Sequence, residues 1–327
     1  MLHKNVQRPR RRSEVAPGDG IHVTLEELIA LRGEAQSAEL APFRPAGSVL
    51  AGNHLSRFRG RGMDYQESRI YQAGDDIRNM DWRVTARAGR PHVKLYQEER
   101  ERPVVLLVDL NPTMFFATRG AFKSVVAARM AAYLAWAAVG HGDRIGALLF
   151  NGGHRELSPT GGDQGALRLM RALVEGADPD KGLAHDTEAD GFNEALRRLQ
   201  RVARPGSLIF ILSDFYGLND ATVTLLGQLR RHSEVAACEI LDVLERVPPP
   251  PSRYPVTDGR RRGVLDTRSR RVRQAYEQTL AARQSALETA LRAQTIPLLR
   301  LDTGAEVGEE VQRFLRLRKR RRRGRVA

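Results

Sequence analysis

Apolar runs alternate with longer amphipathic stretches along most of the chain after residue 102. The short runs have the length and composition of buried strands, and the longer stretches repeat apolar positions at helical spacing. The predicted strands are residues 104–109, 145–150, 207–213, 234–242 and 296–302. The predicted helices are residues 121–139, 164–175, 191–203, 221–230, 272–293 and 307–318. Strands separated by helices predict a doubly wound, mostly parallel, Rossmann-type α/β domain over residues 103–318.

The chain before residue 103 follows a different pattern. Residues 1–20 are polar and contain proline and glycine, which predicts a disordered basic tail. Thr24 with Glu27 three positions later is a typical helix start. Glycine and charged residues then dominate without a helical period. We therefore predict that residues 21–102 form a helix followed by a smaller irregular or β-rich module.

An insertion interrupts the alternation of strands and helices at residues 247–268. It begins with consecutive prolines and contains the turn pair Asp258-Gly259 between two short strand candidates. The pattern predicts a β-hairpin that projects from the sheet edge. After the last predicted helix, residues 319–327 are predicted to form a second basic tail.

The 327 residues include 41% hydrophobic residues, enough for a large core, and carry a formal net charge of +14. The positive excess lies almost entirely in two segments, residues 4–12 and 316–325, so the body between them is nearly neutral. Such tails bind polyanions weakly and lose that binding with salt. Without zinc-finger spacing or aromatic runs, we expect no specific nucleic-acid recognition. Polyanion binding through the tails stays an alternative function.

Cysteine usage and hydropathy bear on the compartment. Cys238, the single cysteine, lies in a strand-like segment, which excludes an intramolecular disulfide and fits a reducing environment. No apolar run approaches the roughly 20 residues that cross a bilayer. The basic N-terminal residues lack the apolar segment of a secretory signal. These features predict a soluble, cytoplasmic protein without a membrane span.

Oxygen side chains follow two of the predicted strands. Asp109, Asn111 and Thr113 form a D-x-N-x-T turn after the first strand, and Ser213-Asp214 ends a later one. Ligands of open α/β sheets collect at the carboxyl ends of strands, and clustered oxygens there suit Mg²⁺ or Mn²⁺. Alternatively, the Asn111 amide donates to Asp109 or Asp214 and closes the turn without metal. Both interpretations remain open from the residues alone.

A catalytic interpretation of the same turn is a haloacid-dehalogenase-like phosphohydrolase, whose first strand is followed by D-x-D-x-T. Asp109 would be the nucleophile and Thr113 a phosphate ligand, with Asp214 as a distant acidic partner. Asn111 stands where the general acid is needed, and an amide cannot deliver that proton. The enzyme hypothesis therefore ranks below binding.

The segment before the turn carries a set of residues at fixed spacing. They are Tyr65, Glu67, Arg69, Tyr71, Gly74, Asp75, Asp76, Arg78, Asp81, Trp82, Ala86 and Arg87. With the strand that follows, this pattern resembles the domain of unknown function 58 family, whose core is similar to a von Willebrand factor A domain. The likeness runs from about residue 47 to residue 318.

The resemblance implies a metal-ion-dependent adhesion site. Asp109, Asn111 and Thr113 occupy its D-x-S-x-S positions, and Asp214 occupies the position of the later aspartate. Thr187 is the candidate for the threonine that an intervening loop supplies. Asn111 and Thr113 depart from serine, so the site is degenerate.

The same resemblance implies what such a site does. Members of the family are associated with MoxR-type AAA+ ATPases, as substrate adaptors or assembly cofactors. A metal at the site would leave one coordination position open for a carboxylate of the partner. The resemblance therefore predicts a non-enzymatic protein-binding function.

Overall fold

The computed structural model describes residues 18–38, 40, 63–72, 75, 77–98, 102–184, 190–257 and 262–323. The chain divides into two units, Leu50–Glu101 and the remainder, Met1–Val49 with Arg102–Ala327. The helices are α1 Leu25–Ala30, α2 Arg32–Ala35, α3 Trp82–Ala88, α4 Lys123–Gly140, α5 Gly162–Gly176, α6 Pro179–Gly182, α7 Gly191–Val202, α8 Asp220–His232, α9 Arg270–Ala293 and α10 Val307–Arg323. The strands are β1 Met63–Ile70, β2 His92–Glu98, β3 Pro103–Asp109, β4 Arg144–Phe150, β5 His154–Thr160, β6 Leu208–Ser213, β7 Glu234–Leu241, β8 Arg253–Thr257, β9 Arg262–Asp266 and β10 Leu298–Asp302.

The larger unit is built on a six-stranded sheet in the order β10-β7-β6-β3-β4-β5. All neighbouring pairs are parallel except β4 with β5. The predicted doubly wound, mostly parallel α/β fold is confirmed. The sequence did not predict β5, because Leu157 alone is buried along it and Pro159 interrupts it, a residue that an edge strand tolerates.

Both faces of the sheet are buried, as strands covered on two sides require. Val104, Leu106 and Val108 of β3 belong to the core cluster with α1, α2, α4, α5 and α10. Val105 and Leu107 point to the opposite cluster, which includes residues of α7, α8 and α9. The alternation follows from the two-residue period of a strand. The β3 carboxyl end is thereby held rigidly between two helical layers.

The N-terminal helices belong to the larger unit, whereas the predicted boundary grouped them with the module at residues 21–102. Thr24 caps α1 by accepting a hydrogen bond from the Glu27 backbone N–H at 3.2 Å, as the sequence predicted. Leu28 is fully buried, and its carbonyl accepts a bond from Trp136 Nε1 of α4 at 3.0 Å. Glu27 also pairs with Arg129, which neutralises the charge inside the apolar helix α4.

The described part of the smaller unit contains the antiparallel pair of β1 with β2, a 3₁₀ turn at Ile77–Asn79 and the short helix α3. Asp81 caps α3 by accepting bonds from Val84 N at 3.1 Å and Ser68 Oγ at 2.7 Å. Gly89 ends the helix in a left-handed conformation with φ of 65°. The predicted β-rich module is therefore observed over this part of the chain, with its own local caps.

The insertion after β7 contains the antiparallel pair β8 and β9, and the predicted turn residues Asp258-Gly259 lie outside the described residues. Helix α10 continues to Arg323, past the predicted end at residue 318. Arginine and lysine favour helices and interact well with a helix C-terminus. Residues 1–17 and 324–327 of the predicted tails also lie outside the described residues.

The predictions about a membrane span and about Cys238 can be compared with the structure. Among the described residues, no helix combines the length and apolar character that crossing a bilayer requires. Cys238 is a free thiol buried in β7, and burial raises its pKa. It is a packed core residue rather than a reactive one.

Candidate functional site

The carboxyl ends of β3 and β6 lie side by side because these strands are parallel neighbours. Ser213 Oγ at the end of β6 donates to Asp109 Oδ2 at the end of β3, at 2.6 Å. Asp214 follows directly and is 1% exposed, and Asp109 is 4% exposed. Both carboxylates are thus buried at one edge of the sheet.

The D-x-N-x-T turn is closed by its own hydrogen bonds. Asp109 Oδ1 accepts from the Asn111 backbone N–H at 3.0 Å and from Asn111 Nδ2 at 2.8 Å. Asn111 therefore presents its NH₂ group to Asp109, in the way that the metal-free interpretation required. Thr113 lies half-buried in a 3₁₀ turn, Pro112–Met114, and its hydroxyl makes no hydrogen bond to the described part of the chain. Predicted Thr187 lies outside the described residues.

A buried lysine neutralises Asp214. Lys123, the first residue of α4, is 1% exposed and donates from Nζ to Asp214 Oδ2 at 2.8 Å. The same ammonium donates to Glu245 Oε1 at 2.7 Å. Asp214 Oδ1 accepts from the Tyr216 backbone N–H at 3.1 Å. We call Asp109, Lys123, Asp214 and Glu245 the buried charge cluster.

An aromatic ring and a guanidinium cover this cluster. The Tyr216 ring centroid is 5.5 Å from Lys123 Nζ and 3.3 Å from Arg283 Cζ, so the ring lies against both cations. Arg283 of α9 also donates to the Asp214 carbonyl. Phe215 adopts a positive φ of 55°, which is strained for a bulky residue. The chain turns at this point, so that the Phe215 side chain is buried and the side chain of the next residue, Tyr216, is half-exposed.

Burial and neighbouring charges shift the pKa values of Asp109 and Lys123. Burial, together with the nearby charge of Asp214, raises the pKa of Asp109 to about 7, although the Ser213 and Asn111 hydrogen bonds act in the opposite direction. Burial acts to lower the pKa of Lys123, but the carboxylates of Asp214 and Glu245 outweigh it, and the pKa lies above its ordinary value. Lys123 is therefore a charged ammonium at neutral pH.

A second network joins the next strand end to the same edge. Asp242, after β7, accepts hydrogen bonds from Thr118 N at 2.8 Å and Thr303 Oγ1 at 2.9 Å. Glu245 Oε2 accepts from the Asp242 backbone N–H at 2.9 Å. Glu245 therefore links the network around Asp242 to Lys123. These bonds hold the loops after β3, β7 and β10 together.

The side chains present do not fit a divalent cation. Asp109 faces N–H and O–H donors, and Asp214 faces the Lys123 ammonium. Oxygen ligands of Mg²⁺ or Mn²⁺ must instead direct lone pairs at the ion. Within the part of the chain that the structure describes, no three His, Cys, Asp or Glu side chains converge in a way that could hold a metal.

Exposed apolar side chains lie on loops at the carboxyl edge of the sheet, near the ends of β3, β6 and β7. We call this set the apolar rim: Phe116, Leu183, Tyr216, Val243 and Val247, each 40% to 57% exposed. Phe116 follows β3, Tyr216 follows β6, and the two valines follow β7. A separate cleft of about 330 Å³ beside β4 and β5 is lined by Leu110, Phe150 and neighbours, and it includes no member of the cluster.

Sequence reasoning brought Asp109, Asn111, Ser213 and Asp214 to one edge but missed Lys123, Glu245, Tyr216 and Arg283. The rule that found Asp214 also applies to β7, whose carboxyl end is followed by Asp242 and Glu245. Lys123 carried a weaker signal, a lone cation at the start of an apolar helix. These missed residues supply the positive charge and the cover of the site.

Comparison with known proteins shows which family and which proteins this chain is similar to. Residues 67–286 match the model of a family described as "Protein of unknown function DUF58". Uncharacterized proteins Rv1480 of Mycobacterium tuberculosis and Mb1516 of Mycobacterium bovis are each 31% identical over 293 residues, covering 89% of this chain and 90% of theirs. Similar solved structures include the conserved hypothetical protein BatB from Bacteroides thetaiotaomicron, with 12% identity, 67% and 99% coverage and a TM-score of 0.40. Another is a von Willebrand factor type A structure from Catenulispora acidiphila, with 11% identity, 69% and 43% coverage and a TM-score of 0.37.

The six-stranded sheet and the helices on both of its faces define a doubly wound, mostly parallel α/β protein. The chain belongs to the DUF58 family, as the extent of the family match and the identity with the mycobacterial relatives show. The resemblance drawn from the spaced residues before β3 is thereby confirmed.

Proposed function

We propose that this chain is a non-enzymatic adaptor that binds a protein partner through the apolar rim at the carboxyl edge of the sheet. The observation that carries the proposal is the exposure of large apolar side chains on successive loops around one buried cluster. Contiguous exposed apolar residues with a polar surround mark interaction sites. The carboxyl edge is also where α/β sheets place their ligands.

The chemistry of the cluster supports binding over catalysis. Asp109 is buried, and both its oxygens already accept hydrogen bonds, so it is poorly placed to attack a substrate. Asn111 donates to Asp109 and offers no acidic proton. The residues of the cluster do not line the neighbouring cleft beside β4 and β5. The rim, in contrast, is open to a macromolecule.

For the partner we propose a MoxR-type AAA+ ATPase, which is the association that the family resemblance implies. The setting is proposed to be the cytoplasm, where the free thiol of Cys238 would stay reduced. An adaptor needs a rigid surface, and hydrogen bonds from Thr118 and Thr303 to Asp242 tie together the loops that carry Phe116 and the two rim valines. This arrangement supports docking without a large rearrangement of the edge.

A matched pair of valine substitutions tests the proposal. Val243→Ser with Val247→Ser alters the rim, and Val256→Ser with Val264→Ser makes the same change on the exposed hairpin. Full-length protein would be titrated against the purified MoxR-type ATPase of the same genome by biolayer interferometry. Losing apolar contact at two rim positions is expected to weaken binding about tenfold or more, since 1.4 kcal/mol corresponds to tenfold.

The hairpin variant should bind as tightly as the unmodified chain. Equal affinity for all three proteins would contradict the rim as the binding surface. Absence of binding by the unmodified chain at any ATPase concentration tested would contradict the proposed partner. Circular dichroism and unfolding curves should show that both double variants remain folded, because every altered side chain is exposed.

A further inference from the structure

We infer that the Lys123 ammonium takes the place of a divalent cation at this edge of the sheet, so that the site is neutralised internally and functions without bound metal. The inference concerns the site itself and does not depend on which protein the chain binds. It rests on the position, contacts and cover of one side chain. Lys123 begins α4 immediately after the loop that follows β3, so its side chain reaches the strand ends from within the fold.

The contacts of Lys123 are those of a cation in a built site. Nζ lies 2.8 Å from Asp214 Oδ2 and 2.7 Å from Glu245 Oε1. The lysine side chain and that of Asp214 are each 1% exposed, and that of Glu245 is 8% exposed. A charge this deeply buried must be paired. Each of the two carboxylates contributes one oxygen to the ammonium, as it would to a metal ion.

Two cations lie beside two of the carboxylates, without another ion. Lys123 and Arg283 supply two positive charges next to the carboxylates of Asp214 and Glu245, with Arg283 3.9 Å from Glu245. A divalent cation at the same position would lie against the fixed ammonium and would have to displace it. The Tyr216 ring lies over the ammonium and restricts its exit.

The Asp109 side of the site leads to the same conclusion. Its two oxygens face Asn111 N–H groups and the Ser213 hydroxyl. Ligation of a cation would require the Asn111 amide to turn its oxygen toward the ion and Ser213 to release its bond. Two side chains therefore take over what a bound metal ion would do. The Asn111 amide occupies the Asp109 oxygen as a hydrogen-bond donor, and Lys123 supplies the positive charge.

The Lys123 ammonium changes how this edge of the sheet can recognise a partner. A resident metal would offer an open coordination position to an acidic side chain of a partner, whereas the ammonium has its carboxylates supplied by the chain itself. Recognition at this edge therefore relies on the surface around the cluster. Chelators should leave the fold and the surface unchanged.

Isothermal titration of metal-stripped, full-length protein with MnCl₂ and MgCl₂ tests the inference, together with thermal unfolding in either salt. The unmodified chain should show no binding up to roughly millimolar ion, the range of weak sites. Lys123→Ala leaves the carboxylates of Asp214 and Glu245 facing a vacated position. We expect this variant to gain one Mn²⁺ site and an ion-dependent rise in Tm, both lost in Lys123→Ala with Asp214→Asn.

Lys181→Ala is the matched control, since Lys181 is an exposed lysine near the same edge. It should behave like the unmodified chain. If Lys123→Ala does not fold without ions, its refolding in Mn²⁺ but not in NaCl of equal ionic strength supports the inference. One-site Mn²⁺ binding by the unmodified chain that Asp214→Asn abolishes would overturn it. So would a Lys123→Ala variant that folds and gains no affinity for either ion.

Discussion

Helices α4 and α9 are the two long helices of the larger unit that meet at the buried charge cluster, and the protein treats them in opposite ways. Fifteen of the 18 residues of α4 are buried, whereas three of the 24 residues of α9 are. Each helix sends one cation to the cluster, Lys123 from α4 and Arg283 from α9. The same type of charge therefore has very different surroundings on the two helices.

The difference follows from the pattern of each helix. Helix α4 is apolar on every side, which is typical of a helix enclosed by a core. Its two interior cations are paired, Arg129 with Glu27 and Lys123 with two carboxylates. Helix α9 buries Leu287, Ala290 and Leu291 near its end and leaves most of its length exposed. Most charged side chains of α9 are exposed and require no partner, whereas Arg283 is 23% exposed and contacts the cluster.

The largest expected effect is at the α4 cation. Lys123→Met keeps much of the side-chain volume but leaves Asp214 and Glu245 buried without their partner. Breaking one side of a buried ion pair costs about 3 to 5 kcal/mol. Urea unfolding at pH 7 in the presence of EDTA should show this loss in free energy of unfolding. EDTA excludes rescue by trace metal ions.

Lys181→Met provides the control at an exposed lysine, where we expect less than about 0.5 kcal/mol. A Lys123→Met variant as stable as this control would show that the cluster is effectively hydrated. Burial of the α4 cation would then contribute no more to the free energy of unfolding than an exposed charge does.

A smaller effect is expected at the α9 cation. Arg283→Ala removes the guanidinium over Tyr216 and the hydrogen bond to the Asp214 carbonyl. Arg283 is 23% exposed, so the combined loss should be about 1 to 2 kcal/mol in urea unfolding. The exposed Arg271→Ala, on the same helix, should change stability by less than about 0.5 kcal/mol. Equal effects of the two substitutions would place Arg283 with the hydrated charges of α9.

The pH dependence of stability should report Asp109. The ordinary aspartate pKa is 3.8, and the native value is about 7. Between these values the folded chain binds more protons at Asp109 than the unfolded chain, so this residue lowers stability as pH rises from about 4 to about 7. Asp109→Asn should remove that part of the slope. The free energy of unfolding of the variant minus that of the unmodified chain should therefore increase as pH rises from about 4 to about 7.

Urea unfolding at several pH values measures the slope, and the exposed Asp220→Asn serves as a control that should keep the unmodified profile. A slope unchanged by Asp109→Asn would mean that Asp109 titrates in the folded protein as it does in the unfolded chain. Unlike the two predictions above, this one concerns how stability changes with pH rather than the loss of a contact.

Local pattern was sufficient to predict much of the fold. The strands from β3 to β10 outside the hairpin, apart from β5, were predicted within two residues at most boundaries, because apolar runs and helical spacing depend on neighbouring residues. Edge strand β5 was missed, since exposure and Pro159 remove that pattern. The placement of α1 and α2 on the larger unit also depended on distant contacts, such as that of Leu28 with Trp136.

The sequence by itself determined that Asp109 and Asp214 end strands of one parallel sheet and that the chain resembles the DUF58 family. The tertiary structure decided what neutralises them. Lys123 is 91 residues from Asp214 and 122 from Glu245, so no local pattern relates these charges. The Asn111 amide can accept or donate, and the Asp109 oxygen beside it determines that it donates. Burial and long-range packing, which a linear pattern does not contain, therefore determine the chemistry of this site.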